Sequence, residues 1–499
     1  MTGTRTPILV AAGQTVARES SLHGPLQLAI DAAARALDDT RADGLAAAID
    51  TIAFVRLFSD SVPFWASPFG RSTNPPGALA HALGAAPRSL IYSTVGGEQP
   101  LSLLRELAGD IARGQRELAL ICGAEAIRNQ RHAERVGARP DWSSTVAAPF
   151  EDRGFGEQLA TRQEIANGLL LPLTYYTLIE DLQRQREDRT TAQQRAHIAS
   201  LLSTFSRVAM HNPFAQFPQA LEAASILDAA PLTQLYSKRM VAQDGVNQAA
   251  ALLLTSTGTA RRLGIPQERW IYLHGFAQGA EYCLSERADP SATAVGASVA
   301  MAALAQAGVG IDSVELMDLY SCFPCAITAI AKPLGLPCDG SRALTVTGGL
   351  PFFGGPGNNY ALHALAVVMS RLRQQPDQRA LVTAIGGMLS KHAAAVLSTQ
   401  PSQVDWSTRG DPLRPTLPPR TLAASPAEGR LLGRCVHYFG EQPVNAVALA
   451  ETAAGERFVA GTADDDPRTA QTLVADGCDN ATITVAPGNH GKLLFRLAR

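Results

Sequence analysis

Residues 345–360, Thr-Val-Thr-Gly-Gly-Leu-Pro-Phe-Phe-Gly-Gly-Pro-Gly-Asn-Asn-Tyr, lead straight into the apolar-rich run 361–372. Five glycines before a helix are expected to bring backbone amides close to a ligand, and a helix start adds partial positive charge. The spacing predicts a strand end, a tight loop and a long helix. As a chemical element it is expected to receive an anion-like oxygen through Gly354, Gly355 and their neighbours. Asn358 and Asn359, at the helix entry, are expected either to cap the helix or to bond a carbonyl.

Working outward, the segment after this loop has a counterpart earlier in the chain. Residues 100–113, 114–116 and 117–122 read as helix, turn and buried strand closed by Gly123, and residues 359–373, 376–379 and 380–385 read the same way, closed by Gly386 and Gly387. Aligning Arg116 with Arg379 also aligns Gly123 with Gly386, which predicts a duplicated βα architecture of two halves. Residues 127–236 are more polar, with helical stretches at 173–186 and 192–210, and are expected to form an inserted domain over a cleft. The predicted organisation is a first half from 1–126 and 237–265, the insertion at 127–236, and a second half from 266–400. Six prolines between 401 and 426 mark a linker. Short alternating runs at 433–438, 444–451, 457–460, 481–485 and 492–497 predict a small all-β barrel, OB-like, over 427–499.

Composition narrows the functional classes. The 499 residues are 46% hydrophobic, carry a formal net charge of -2 and have a pI near 6.6. Lys and Arg are dispersed, so no nucleic-acid partner is expected. The apolar run 8–12 is too short for a signal core or a membrane span, and a cytoplasmic protein is expected. Seven cysteines include one C-x-x-C, Cys322 and Cys325, without a second pair, so reduced thiols and no metal are expected. Neither a dinucleotide fingerprint nor a P-loop is present, so no tightly bound cofactor is expected.

The glycine loop resembles the thiolase loop that reads Asn-x-x-Gly-Gly and then Gly-His-Pro, with Gly355 at the histidine position. Residues 210–217 and 241–245 resemble passages of sterol-carrier-protein-type thiolases, and residues 314–323 resemble their His-Asp-Cys-Phe loop. Over positions 5–400 the chain is similar to the thiolase superfamily, and with its C-terminal module it looks most like thiolase-like proteins (type 1) that carry an extra β-barrel. The resemblance implies an α/β duplicated thiolase fold, layered αβαβα, and an acyltransferase of the acetyl-CoA acetyltransferase kind acting on acyl-CoA thioesters in lipid metabolism. Coenzyme A thioester would then be substrate or ligand.

The same resemblance places a nucleophilic cysteine near Gly97 and another cysteine at Ala384, yet no cysteine occurs before Cys122. Ser93 and Thr94 are read as strand-end residues bonding backbone. Cys322 matches the acid/base cysteine of the third loop, with Tyr320 and Ser321 in place of His and Asp, and Ala326 where an asparagine is expected. Cys322 and His392 are therefore the candidate catalytic groups, His392 because an imidazole titrates near neutral pH. His363 is expected to face the core. Gly97, Gly354, Gly355, Asn358, Gly386 and Gly387 are the candidate substrate-binding positions. The alternative reading is a non-catalytic acyl-CoA or lipid-thioester binding protein whose β-domain contacts a partner protein.

Overall fold

The computed structural model describes residues 3–157, 160–408, 410–463 and 466–498. Ten strands form one sheet: β1 (Pro7–Val16), β2 (Thr51–Phe54), β3 (Ser89–Tyr92), β4 (Leu118–Ala126), β5 (Glu151–Asp152), β6 (Asn247–Ser256), β7 (Ile271–Ala280), β8 (Leu316–Asp318), β9 (Arg379–Gly386) and β10 (Lys391–Ser398). Their order is β5-β3-β2-β4-β6-β1-β7-β10-β9-β8. It contains the duplication. In the first arm β2 runs parallel to β4, β4 antiparallel to β6, and β6 antiparallel to β1. In the second, β8 runs parallel to β9, β9 antiparallel to β10, and β10 antiparallel to β7. The arms join where Ile8 and Leu9 pair with Tyr272 and Ile271.

Layering follows from which helix faces are apolar. The helices Gln99–Ala112 and Tyr360–Gln374 are buried along most of their length and touch strands of both arms, so they form the central layer. Outer helices, Pro25–Asp39 and Ala294–Gln306, cover β1 and β7 with alanine-rich faces. The approach is close at matching points: a Cβ on Gly13 would collide with the Ala32 carbonyl oxygen, and one on Gly275 with that of Ala303. Helix, arm, central helices, arm and helix make the layered αβαβα architecture.

The described residues of 401–427 form a strap, not a free tether. Trp406 is buried, Arg105 stacks over its ring, and the Arg113 guanidinium donates to the Ser407 carbonyl at 2.9 Å. Leu413 then pairs with β7, its N–H on the Gln278 carbonyl at 2.8 Å.

Beyond the strap, β11 (Glu428–Phe439), β12 (Gln442–Glu451), β13 (Arg457–Thr462), β14 (Thr482–Pro487) and β15 (Leu493–Leu497) close into a barrel. Inward-facing apolar residues fill it, among them Leu431, Ala448, Phe458, Ile483 and Phe495. One pairing departs from an all-antiparallel barrel: β13 and β15 are parallel. The short helix Pro467–Thr472 lies between β13 and β14, and β14 then pairs with both β11 and β15. The barrel rests on the helix Pro172–Arg186 of the inserted region. Arg434, fully buried, donates its backbone N–H to Asp181 at 3.0 Å and its Nε–H to the Leu473 carbonyl at 2.7 Å, and pairs with Asp479.

Candidate active site

The glycine loop is shaped from its base by one carboxylate. Asp318, at the end of β8, is buried and accepts from the Thr345 hydroxyl (2.9 Å), the Val346 and Thr347 amides (3.1 Å each), the Thr347 hydroxyl (2.9 Å) and Tyr360 Oη (2.8 Å). Burial raises its pKa, and the hydrogen bonds, led by Tyr360, hold it down. Loop and helix entry are thereby fixed to the sheet.

Most loop amides are already used inside the protein. Gly348 donates to Thr345 Oγ1 at 3.0 Å, Gly349 to Thr347 Oγ1 at 3.1 Å, Leu350 to Ser321 Oγ at 3.2 Å, and Gly355 to the Gln243 carbonyl at 2.8 Å. The glycines serve close approach of protein to protein. A Cβ on Gly348 would strike Ala209, one on Gly349 Phe205 and Ser321, one on Gly354 Gln248 Oε1, and one on Gly357 the Glu125 carboxylate. Gly354 has φ +119, a conformation open to glycine alone. The loop is thus a packed corner of the site, and the oxygen-binding cradle expected of it has few free donors.

Asn358 does not cap the helix. Its Oδ1 accepts from the Gly96 amide at 3.2 Å and its Nδ2 donates to the Arg56 carbonyl at 2.9 Å, so it ties the loop to the turn before the Gln99 helix. Asn359 takes the cap position without a side-chain cap bond, and donates to the Gly123 carbonyl at 2.8 Å. Ser93 Oγ accepts from the Arg56 amide and donates to the Thr94 carbonyl, a backbone role. His363 is buried against Gln14 at 2.8 Å, with burial lowering its pKa to about 3.

At the turn 96–98 residues of the two halves pack directly against each other. Gly97 lies against the Ile385 carbonyl and the Tyr320 hydroxyl, and a Cβ there would collide with both. Gly386 lies against the Glu98 carboxylate and the Gly96 backbone, and Gly387 accepts from the Tyr176 hydroxyl through its carbonyl at 3.4 Å. Gly97, Gly386, Gly387 and Asn358 are therefore brought together, with Gly354 and Gly355 one loop away.

Cys322 and His392 are placed differently from what their expected roles need. Cys322 is partly buried, bonded by Tyr176, and burial pushes its thiol up to about 12, so it is a thiol near neutral pH. Tyr176 in turn stacks on Phe323 at 4.3 Å. His392 is buried, its Nε2 2.9 Å from Thr293 Oγ1 and 3.2 Å from the Leu389 carbonyl. Burial, with a contribution from Arg287, lowers its pKa to about 3. That ring is neutral but too weakly basic for general-base work near neutral pH.

Glu98 is the group the sequence reading passed over. It stands at the cap position of the Gln99 helix, 5% exposed, with Oε1 accepting from Gln99 Nε2 at 2.8 Å. Its Oε2 has no partner among the described residues. Burial raises its pKa, opposed chiefly by Lys391. With Thr94, Gly156, Gln278, Lys391 and His392 it lines a cavity of about 320 Å³. Among the described residues no cluster of His, Cys, Asp and Glu could hold a metal, and no helix is long and apolar enough to cross a membrane.

No protein-family model matches the sequence, and no curated protein matches it closely. Solved structures do. An SCP2-thiolase-like protein type 1 from Mycobacterium smegmatis, described as monomeric, shares 32% identity over 100% of both chains with a TM-score of 0.82. An acetyl-CoA acetyltransferase from Syntrophomonas wolfei (15% identity, 80% of this chain and 100% of that one, TM-score 0.57) shares the fold. Human mitochondrial 3-ketoacyl-CoA thiolase does so too (15%, 79% and 99%, 0.55). The two enzymes match about four-fifths of the chain, whereas the mycobacterial protein is matched along its full length, barrel included. The chain belongs to the thiolase superfamily, as an SCP2-thiolase-like protein.

Proposed function

We propose that this protein binds an acyl-CoA thioester in the cleft beside the 96–98 turn and handles it without an acyl-cysteine intermediate. The thioester is suggested by the names of the fold relatives, an acetyl-CoA acetyltransferase and a 3-ketoacyl-CoA thiolase. Fold alone does not determine function. The observation that carries the rest is the closure of position 97, where the Ile385 carbonyl and Tyr320 hydroxyl leave no room for any side chain. A covalent acyl carrier would also need a thiolate, and Cys322 is held as a thiol by its surroundings. The expected acyltransferase chemistry through a thiol is thus the reading the geometry favours least.

The test is a panel of acyl-CoA thioesters. Calorimetry is expected to show saturable binding, chromatography no release of free CoA, and intact-mass spectrometry no adduct. A mass gain that disappears in Cys322→Ala would overturn the non-covalent part, and absence of binding across the panel would overturn the thioester assignment.

A further inference from the structure

The 96–98 turn carries one buried polar atom that the protein leaves unmatched and packs against a tyrosine hydroxyl. Glu98 Oε2 is a buried acceptor without a donor. Such an oxygen is unfavourable unless a ligand or water supplies a hydrogen, and buried polar atoms of this kind call for an explanation. On the other side of the turn, Tyr320 is a buried residue whose hydroxyl is directed at Gly97. The two groups sense each other electrostatically, since Glu98 is one cause of the raised Tyr320 pKa, after burial and Cys322. An acceptor without a donor therefore stands at the start of a 14-residue helix and at the wall of a cavity, with the Tyr320 hydroxyl on the other side of the same turn.

We propose that Glu98 and Tyr320 act as a pair in this site, Glu98 as the base that removes a proton from the carbon next to a thioester carbonyl and the Tyr320 hydroxyl as the donor that hydrogen-bonds the carbonyl oxygen. This rests on the thioester reading above. The Cα–H bond breaks, the proton passes to Glu98 Oε2, and the electron pair moves into an enolate whose oxygen Tyr320 holds. Return of a proton from the Glu98 carboxylic acid to carbon restores the thioester, so the step is redox-neutral and no group leaves. A preorganised donor aimed at a developing oxyanion stabilises it more than the ground-state carbonyl.

Charged and titratable neighbours set the pH response. Lys391 on β10 and Glu157 from the segment after β5 face the carboxyl, His392 stands at the cavity wall, and Tyr320 lies across the turn. Burial raises the Glu98 pKa, Lys391 opposes that, and Glu157 adds to it. Removal of a carbon-bound proton needs the carboxylate, so the rate should climb with pH through this raised value and then level off.

The experiment is deuterium exchange into the acetyl methyl of acetyl-CoA in D2O, read by mass spectrometry, with binding measured in parallel by calorimetry. The wild type should exchange. Glu98→Gln, similar in shape, should bind as the wild type but exchange at least ~100-fold more slowly. Tyr320→Phe should slow exchange roughly 10–100-fold. Glu98→Asp, which keeps a carboxyl on a shorter arm, should retain part of the rate with a displaced pH profile, and circular dichroism confirms that each variant is folded. Wild-type binding without exchange, or full exchange by Glu98→Gln, overturns the pair while leaving the thioester reading intact. Failure of the wild type to bind overturns that reading and the pair with it.

Discussion

At the scale of single residues, the most informative position is Gly97, because the obstruction around it includes backbone. The Ile385 carbonyl belongs to β9 and cannot turn aside as a side chain can, so Gly97→Ala should lower stability by ~1–3 kcal/mol in chemical denaturation. Gly97→Cys should show at least the same loss and no gain of thiolase activity. Gly355→Ala is the contrast: its Cβ would stand 3.3 Å from the Gln243 carbonyl and 3.4 Å from Ala242, and a change within ~0.5 kcal/mol is expected. A second residue-scale prediction concerns Glu125, whose Oε1 accepts the Phe58 amide at 2.7 Å behind Gly357. Burial raises its pKa to about 8. An unfolded glutamate titrates near ~4.3, so the folded state binds more protons between that value and about 8, and stability falls as pH rises through that window. Glu125→Gln should flatten the decline in urea midpoint between pH 5 and 8. An unchanged slope would mean the carboxyl is not buried as described.

Elements show which parts were legible in sequence and which were not. The Gln99–Ala112 and Tyr360–Gln374 helices could be read because each is an apolar run followed by a turn and a buried strand. The glycine loop marks close backbone approach, expected to be toward a ligand, but sequence does not say what approaches. Here it is Ala209, Phe205 and Gln248. Asp318 gave no signal, being one acidic residue at the end of a three-residue strand, yet it gathers two threonines, two amides and a tyrosine. Asp318→Ala should cost at least ~3 kcal/mol, since several buried donors would lose their acceptor at once, and thermal melts check this. Glu98 did carry a signal: a carboxylate directly after Gly-Gly at a helix entry. The parallel pairing of β13 with β15 was beyond reach, because alternation of short strands reports faces and not neighbours.

For the whole molecule, duplication and attachment are the two governing facts. Gly13 and Gly275 occupy matching places against the Ala32 and Ala303 carbonyls, so alanine at either site should destabilise the arm that holds it. Attachment of the barrel depends on a charge cluster with no exposure at its centre: Arg434 between Asp181 and Asp479, with Arg184 bonded to Asp181 at 3.0 Å. Removing one member of a buried ion pair typically costs ~3–5 kcal/mol. Arg434→Ala should therefore split unfolding into two transitions, the barrel melting first, as followed by calorimetry. One retained cooperative transition at the wild-type temperature would show that the cluster does not couple the units. The strap at 401–427 has its own consequence. Pro412 is part of the cavity wall beside Glu98, and Leu413 is stitched to β7. The same few residues thus act as wall and stitch, and a single proteolytic cut near Pro412 would free one side of the chamber beside Glu98 while the Arg434 cluster still held the barrel.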